Sequence, residues 1–208
     1  MEIHVQRTTV GRWKVNCYFI HDRNVGVIID PGAEADVLRR EVETCGFRPV
    51  AIIATHGHFD HVGAVAVLKK EYSVPFLLHR NDLRLLTHAN LYRMFVGEST
   101  DMTAPAVDQF LVDQAILDFE GLSLEVLHTP GHSAGGVCIR SGSQLLSGDT
   151  LFFDRPGRID LPGGSLPMLQ ESLKRLEQMP PEWELFPGHG RPGKLGPAVT
   201  AALRGTEA

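Results

Sequence analysis

The sequence predicts an α/β protein in which two β-sheets pack face to face and helices cover their outer sides. Two observations support this class. A run of strand-like segments followed by helix-like segments occurs twice along the 208 residues. The helix-like segments carry apolar stripes, the clearest of which is formed by Leu166, Leu169, Leu173 and Leu176. Because no linker or repeat interrupts residues 1–208, we expect a single domain.

The first run of strands is predicted from alternating polarity at residues 3–8, 14–20 and 25–30. Turns at Gly11 and at residues 22–24 separate these segments, so we expect an antiparallel meander. A helix follows the meander, because Leu38 and Val42 fall on one helical face and Gly46 is a typical helix end.

The middle of the chain alternates short strands with helices. A strand is predicted at residues 50–54, followed by a polar loop and a helix that continues to about Tyr72. A second strand, at residues 74–78, precedes a helix that extends to about Met94. Residues 95–108 lack periodicity, which is typical of a surface loop that covers or shapes a pocket.

The second run of strands is predicted within residues 109–153 and includes segments 122–127, 137–140 and 144–146. The leucine-striped helix follows, with Pro167 in its first turn, where proline is tolerated. A last strand at residues 184–186 precedes the terminal segment, residues 198–208, which is expected to form one short helix or to fray.

The polar loop, residues 55–61 with the sequence THGHFDH, contains four side chains that can bind metal ions. His56 and His58 are two residues apart, so their side chains point the same way in an extended segment. Asp60 and His61 lie where the chain turns into the next helix, so they approach from another direction. The loop can therefore supply a pair of ligands to each of two neighbouring ions. The alternative is four polar residues in a solvated loop.

Three later strands end in turns where a glycine precedes a further ligand, at Gly131-His132, Gly148-Asp149 and Gly188-His189. Glycine lets the backbone turn sharply and approach a site closely, although each turn taken alone could lie on the surface. The seven residues divide by ligand chemistry into His56, His58 and His132 for one ion, Asp60, His61 and His189 for the other, and Asp149 as a bridge between them.

These ligands indicate a reactive metal site. Imidazole and carboxylate groups suit zinc, iron or manganese, and these ligand types do not distinguish one metal from the others. Because it contains no cysteine, we expect open positions for water rather than a closed structural site. Asp30, at a strand end, is expected to fix the tautomer of a ligand histidine. The remaining histidines are interpreted as structural or surface residues, namely His4, His21, His79, His88 and His128.

Composition and charge limit the partners. The net charge of −5 argues against nucleic acid, and we expect a small-molecule substrate. The first residues lack the apolar core of a signal peptide and no later run is long enough to span a bilayer, so we expect a cytoplasmic protein with no membrane partner. Cys17, Cys45 and Cys138 show no paired spacing and are expected to be small buried side chains. The sequence leaves the oligomeric state open.

The ligand motifs, in this order and spacing, resemble the metallo-β-lactamase superfamily over nearly the whole chain. The resemblance implies a four-layer αβ/βα sandwich, in which helices flank two mixed β-sheets and the metals lie at one edge. The segments 148–152, 157–164 and 186–190 are similar to those of the compact bacterial glyoxalase II-like hydrolases. Such a relationship implies two divalent ions, with zinc expected first and iron or manganese as alternatives.

The departures from the superfamily pattern disfavour several activities. The best-known β-lactamases carry arginine where His61 stands and cysteine where Asp149 stands, which disfavours antibiotic hydrolysis. Flavo-diiron proteins carry glutamate in place of His58, which disfavours electron transfer. Full-length glyoxalase II has a C-terminal helical region that binds glutathione, and the 19 residues after His189 are too few to form that region.

The resemblance therefore predicts a hydrolase of thioesters such as S-lactoylglutathione. A hydroxide that bridges the two metals, held by Asp149 and Asp60, would attack the thioester carbonyl, and the metals would stabilise the oxyanion. Arg158 would either pair with a substrate carboxylate or fix its loop through an ion pair with Asp160.

Two other activities remain open on the same fold. A persulfide dioxygenase uses one ferrous ion and needs only two histidines and a carboxylate, here His56, His132 and Asp149. A lactonase would use all seven ligands and would differ only in its substrate.

Overall fold

The computed structural model describes residues 3–22, 24–98 and 102–207. Part of the predicted turn at 22–24, part of the predicted loop at 95–108 and the last residue of the terminal segment therefore lie outside the described residues. Strands and helices are numbered below in chain order.

The first sheet contains six strands in the order β1-β2-β3-β4-β5-β6. Their bounds are His4–Val10, Val15–His21, Val25–Ile29, Arg48–Ile53, Phe76–His79 and Gln109–Leu111. Strands β1 to β3 form the predicted antiparallel meander, whereas β3 to β6 run parallel to one another. We expected the segment at 109–111 to belong to the second run of strands. That expectation is wrong, because this segment pairs with β5 at the edge of the first sheet.

Five helices belong to the first half of the chain. They are α1 (Ala35–Cys45), α2 (Phe59–Val62), α3 (Val65–Tyr72), α4 (Leu83–Thr87) and α5 (Ala89–Phe95). The single helix predicted after the polar loop is divided into α2 and α3, because the amide of Ala64 bonds to Pro31 O outside the helix (2.9 Å). The helix predicted up to Met94 is likewise divided, at His88, and a 3₁₀ turn precedes it at Arg80–Asp82.

The second sheet also contains six strands, in the order β12-β11-β10-β9-β8-β7. Their bounds are Ile116–Phe119 (β7), Leu122–His128 (β8), Val137–Ser141 (β9), Gln144–Gly148 (β10), Glu184–Pro187 (β11) and Gly193–Lys194 (β12). Strands β10 and β11 are parallel and the other pairs are antiparallel. The leucine-striped helix is α6 (Leu166–Glu177), and α7 (Leu195–Glu207) begins three residues before the predicted terminal segment.

Three apolar layers hold these elements together as the predicted αβ/βα sandwich. One layer lies between the helices of the first half and the first sheet, the second lies between the two sheets, and the third lies between the second sheet and α6 with α7. Strand β2 is buried along its whole length and contributes to two layers. Phe19 packs in the first layer, and Tyr18 and Ile20 pack between the sheets, as the alternation of side chains along a strand requires.

Two sequence expectations can be compared directly with this fold. The three cysteines are free thiols, of which Cys17 and Cys138 are buried and Cys45 is partly buried. Within residues 3–22, 24–98 and 102–207, no helix combines the length and apolar character that a bilayer crossing requires.

Replacing Phe19 by alanine should lower the free energy of unfolding of the metal-free protein by about 3 to 5 kcal/mol, because the fully buried ring would leave a cavity in the first layer. Urea unfolding measures this difference. The control is Ile116→Ala in β7, whose side chain is 60% exposed and whose loss should cost at most about 0.5 kcal/mol. Equal losses in the two variants would contradict the layer assignment.

Candidate metal centre

The polar loop 55–61 connects the carboxyl end of β4 to α2. His58 has extended backbone angles (φ −69°, ψ 144°) and stands directly before the first residue of α2. The extended conformation places the rings of His56 and His58 beside each other, with centroids 4.7 Å apart. After His58 the chain turns into α2, which carries Asp60 and His61. The loop therefore presents its ligands from two directions, as the sequence predicts.

The first triad consists of His56, His58 and His132, each of which offers a ligand atom within 4.8 Å of the others. The Nδ1 atom of His58 lies 2.9 Å from the Nε2 atom of His132. His132 comes from the turn after β8, and its other ring nitrogen lies 2.7 Å from the carbonyl oxygen of Arg158. That contact leaves Nε2 of His132 directed at the triad.

The second triad consists of Asp60, His61 and His189, whose ligand atoms also lie within 4.8 Å of one another. The Nε2 atoms of His61 and His189 are 3.2 Å apart, and His189 Nε2 lies 3.3 Å from Asp60 Oδ2. Asp149 lies between the triads. Its carboxylate is 3.4 Å from His61 Nε2 and 3.7 Å from His132 Nε2. The structure thus brings together all seven residues that the sequence singled out.

Three buried polar atoms indicate that these residues fit divalent metal ions. The Nε2 atoms of His56 and His58 and the Oδ1 atom of Asp149 are buried, and none has a hydrogen-bond partner among the described residues. Leaving such atoms unpaired is costly, so they are expected to have a ligand. The combination of imidazole nitrogen and carboxylate oxygen suits zinc, iron and manganese alike.

The electrostatics of the first triad favour metal binding. Burial, together with the neighbouring imidazoles, lowers the pKa of His56 well below the ordinary value for histidine. Burial and the neighbouring His132 lower the pKa of His58 to about 3. Both rings are therefore neutral at physiological pH, which is the form in which histidine binds a metal.

The second triad has carboxylates around it, and in the metal-free protein its two histidines have raised pKa values, in contrast to those of His56 and His58. Burial disfavours the charged form of His61, but Asp149, Asp30 and Asp60 outweigh it and raise the pKa of His61 to about 10. Burial likewise disfavours the charged form of Asp60, but the attraction of His61 and His189 exceeds it and lowers the pKa of Asp60 below its ordinary value. A metal that binds here must displace a proton from His61, so its affinity for this triad should increase with pH.

Asp30 holds His61 in place. This residue follows β3 with a positive φ of 54°, and its carboxylate accepts hydrogen bonds from the amide and the hydroxyl of Thr55, each at 2.7 Å. The same carboxylate lies 2.9 Å from His61 Nδ1. With Nδ1 donating to Asp30, Nε2 of His61 remains available to a metal, which is the tautomer-fixing role expected for Asp30.

Two residues of β2 that the sequence analysis did not single out position His189. The side-chain amide of Asn16 donates to the carbonyls of Pro187 (2.9 Å) and Gly190 (3.0 Å), on either side of the ligand. The hydroxyl of Tyr18 also donates to Pro187 O (2.7 Å). No local pattern identifies these residues, since both lie in an ordinary buried strand and their partners are about 170 residues away in the sequence.

Arg158 forms the ion pair that was one of its two predicted roles. Its guanidinium donates to both carboxylate oxygens of Asp160, at 2.7 and 2.6 Å. Because the backbone carbonyl of Arg158 bonds to His132, the ion pair helps to fix the loop that orients a ligand. Contact between Arg158 and a substrate carboxylate remains a prediction.

A cleft of about 920 Å³ opens over the two triads. Ligands from both triads line it, together with Asp149 and with apolar and aromatic residues, among them Trp13, Phe59, Tyr92, Phe95, Phe152 and Leu161. Phe95 and Val96, at the start of the predicted 95–108 loop, belong to this lining. The volume and the apolar walls are typical of a small-molecule site.

The other histidines lie outside the triads, in agreement with the sequence interpretation. His79 and His128 stack with ring centroids 4.2 Å apart, and His4 stacks on His21 with centroids 5.4 Å apart. His88 lies between α4 and α5, where its ring contacts the carbonyl of Arg84 (2.8 Å).

Comparison with known proteins identifies chains that are similar in sequence and fold. The hydroxyacylglutathione hydrolase GloC of Haemophilus influenzae is 29% identical over 204 residues, which are 93% of this chain and 94% of that protein. The crystal structure of TTHA1623 in a di-iron-bound form is similar with a TM-score of 0.85 and 38% identity, and covers 95% of this chain and 98% of that one. The crystal structure of the BLEG-1 B3 metallo-beta-lactamase is similar with a TM-score of 0.86 and 30% identity, and covers 93% of this chain and 95% of that one.

A family model matches residues 10–189, which include every ligand of the two triads. The match and the shared fold agree with the resemblance inferred from the sequence motifs. The chain belongs to the metallo-beta-lactamase superfamily.

Proposed function

We propose that this chain hydrolyses thioesters such as S-lactoylglutathione with the help of two divalent metal ions. The two triads, together with Asp149 between them, are the observation that supports this proposal most directly, because these seven imidazole and carboxylate groups converge beneath one cleft. The thioester part is supported by the similarity to a hydroxyacylglutathione hydrolase over almost the full length of both chains.

Each triad would hold one ion, and Asp149, which contacts both sets, would be shared between them. We propose zinc, and iron or manganese would take the same ligands. When bound, such ions lower the pKa of water to about 7 and polarise a carbonyl oxygen.

The protein's own residues would fix the geometry in which the reaction occurs. Asp60 and Asp149 are the carboxylates that line the cleft, so they would orient the hydrolytic water. Asp30 would keep the ring of His61 oriented through its contact with Nδ1. Trp13 and Phe152 would exclude bulk water and provide an apolar surface for the substrate, which strengthens the electrostatic interactions beneath it.

The main alternatives differ in metal number and substrate. A mononuclear persulfide dioxygenase would need only His56, His132 and Asp149, and would leave the second triad without a function. The presence of a complete second triad favours two ions. A lactonase would share the dinuclear centre, so substrate profiling must distinguish it from a thioesterase.

The variants His58→Ala and Asp60→Ala should each lower kcat/KM for S-lactoylglutathione about a hundredfold or more. Each change removes a metal ligand, and the transition state then loses several kcal/mol of charge stabilisation. Metal analysis of the same preparations should show two ions per unmodified chain and fewer in the variants. His88→Ala, a histidine outside the triads, is the control and should retain activity.

Three results would contradict the proposal. Near-normal activity of both ligand variants would argue against a dinuclear reaction. One iron per chain with oxygen uptake on a glutathione persulfide would favour the dioxygenase. Faster turnover of lactones or β-lactams than of any thioester would assign the centre to those substrates.

A further inference from the structure

Asp82 is a fully buried carboxylate between the two ligand loops of the first triad. It ends the 3₁₀ turn after β5 and has no exposed surface. Its Oδ2 atom accepts a hydrogen bond from the amide of Gly57 (2.9 Å), and Gly57 lies between His56 and His58. Asp82 therefore bonds directly to the segment that carries two of the three ligands.

The same carboxylate bonds to the segment that carries the third ligand. The hydroxyl of Ser133, next to His132, donates to Oδ2 (2.7 Å), and the amide of Gly135 donates to Oδ1 (2.6 Å). Three donors thus occupy Asp82, which belongs to neither triad. A buried carboxylate with several donors is held firmly, since hydrogen bonds to an ionised group are stronger than neutral ones.

Both loops approach Asp82 at distances that only glycine permits. A Cβ atom on Gly57 would lie 2.8 Å from the carbonyl oxygen of Asp82, and a Cβ atom on Gly135 would lie 2.8 Å from its Cγ atom. The carboxylate of Asp82 bridges the two loops, because Oδ2 accepts from Gly57 and Ser133 and Oδ1 accepts from Gly135. The two bridged loops carry His58 and His132, whose facing nitrogens are 2.9 Å apart.

We propose that Asp82 is a positioning residue that sets the affinity of the first triad for its metal ion without contacting that ion. An asparagine in its place would have the same shape, but its amide nitrogen would face a donor and one of the three bonds would be lost. Loss of such a supporting bond typically weakens metal binding by about 10- to 100-fold. The inference depends on the metal centre and not on the identity of the substrate.

Asp82→Asn should weaken zinc binding to the first triad by about 10- to 100-fold and leave the second triad unchanged. The two affinities can be measured separately by competition titration of the metal-free protein. A His189→Ala background retains the first triad, and a His58→Ala background retains the second. A role in general stability would instead lower both affinities together with the melting temperature.

Asp108→Asn is the matched control. Asp108 also accepts a hydrogen bond from a backbone amide, that of Phe76 (2.7 Å), but it lies at the opposite end of β5 from Asp82. It should change neither zinc affinity. Should the Asp82→Asn variant fail to fold, Ser133→Ala removes one donor only and should weaken the first triad by roughly 2- to 10-fold. Equal effects on both triads, or none on the first, would overturn the proposal.

A second inference concerns the cationic residues of the cleft and depends on the proposed function. Apart from the seven ligands, the charged residues among the described cleft lining are Arg155 and Arg158. Both arginines pair with exposed carboxylates, but Arg158 donates two hydrogen bonds to Asp160 (2.7 and 2.6 Å). Arg155 has a single contact of 3.3 Å with Asp154, and the two members of that pair are 64% and 68% exposed. An exposed pair of this kind contributes little, so Arg155 is available to a ligand.

Arg155 is placed to contact the part of a substrate that lies away from the metal centre. Its guanidinium lies over the ring of Phe152 (4.9 Å), and that ring is 6.3 Å from the ring of His189. Phe152 thus separates the arginine from the second triad. We infer that the cleft takes thioesters that carry a carboxylate a few bonds from the reacting carbonyl, and that Arg155 recognises this group.

A matched pair of substrates tests this inference. The S-hexanoyl thioesters of N-acetylcysteine and N-acetylcysteamine differ only in the carboxylate of the former. We expect the protein to prefer the carboxylated thioester in kcat/KM, and Arg155→Gln to reduce this preference roughly 10-fold or more. The control is Arg191→Gln, which changes an arginine that also lies over a phenylalanine ring, Phe153, but outside the cleft.

The outcomes distinguish the role of Arg155 from the proposed function. A preference that survives in Arg155→Gln, or that disappears in Arg158→Gln alone, would overturn the assignment to Arg155. Hydrolysis of both thioesters without discrimination would overturn the inference and leave the proposed function intact. Hydrolysis of S-lactoylglutathione but of neither N-acetyl thioester would overturn the inference, and hydrolysis of none of the three would overturn the proposed function itself.

Discussion

The burial of imidazole and carboxylate atoms that have no hydrogen-bond partner among the described residues is the constraint on which this structure depends. An unsatisfied buried polar group costs roughly 1–3 kcal/mol, and apolar packing cannot hold such groups together. Each ligand loop is therefore held by a second bond away from the metal positions. Asp30 supplies it to His61, Asp82 supplies it to the loops of the first triad, and the carbonyl of Arg158 supplies it to His132.

The two sheets bring the ligand loops together. The loops that follow β4, β8, β10 and β11 carry the ligands, so the site forms where these strand ends meet. The parallel pairing of β10 with β11 sets Gly148 opposite Pro187, and the amide of Gly188 bonds to Gly148 O at 2.7 Å. Asp149 and His189, which follow these neighbouring strands, consequently lie close together (3.6 Å between His189 Nε2 and Asp149 Oδ2). The helices, which contribute Asp60 and His61 through α2 alone, mainly shield the outer faces of the sheets.

The sequence predicts those parts of the fold and site that depend on patterns among residues close together in the chain. Ligand types, glycine turns and apolar stripes are short-range patterns, and they were sufficient to predict the layer order and the seven residues that the structure brings together. The pairing of β6 with β5, the division between α2 and α3, and the supporting roles of Asn16 and Asp82 depend on partners far away in the chain. In the sequence, Asp82 looks like an ordinary turn residue after a strand, because its bonds to the loop that carries His132 are visible only in the folded structure.

The division of the ligands between the two halves of the chain has a consequence for folding. His56 and His58 follow a strand of the first sheet and His132 follows a strand of the second, and the other triad is divided in the same way. Neither half can assemble a site by itself, so tight metal capture must be a late event that follows the docking of the two sheets. Once captured, each ion closes a long chain loop, as a disulfide would, and removes conformations from the unfolded ensemble. Metal supply would then control how long the folded protein survives, as well as whether it is active.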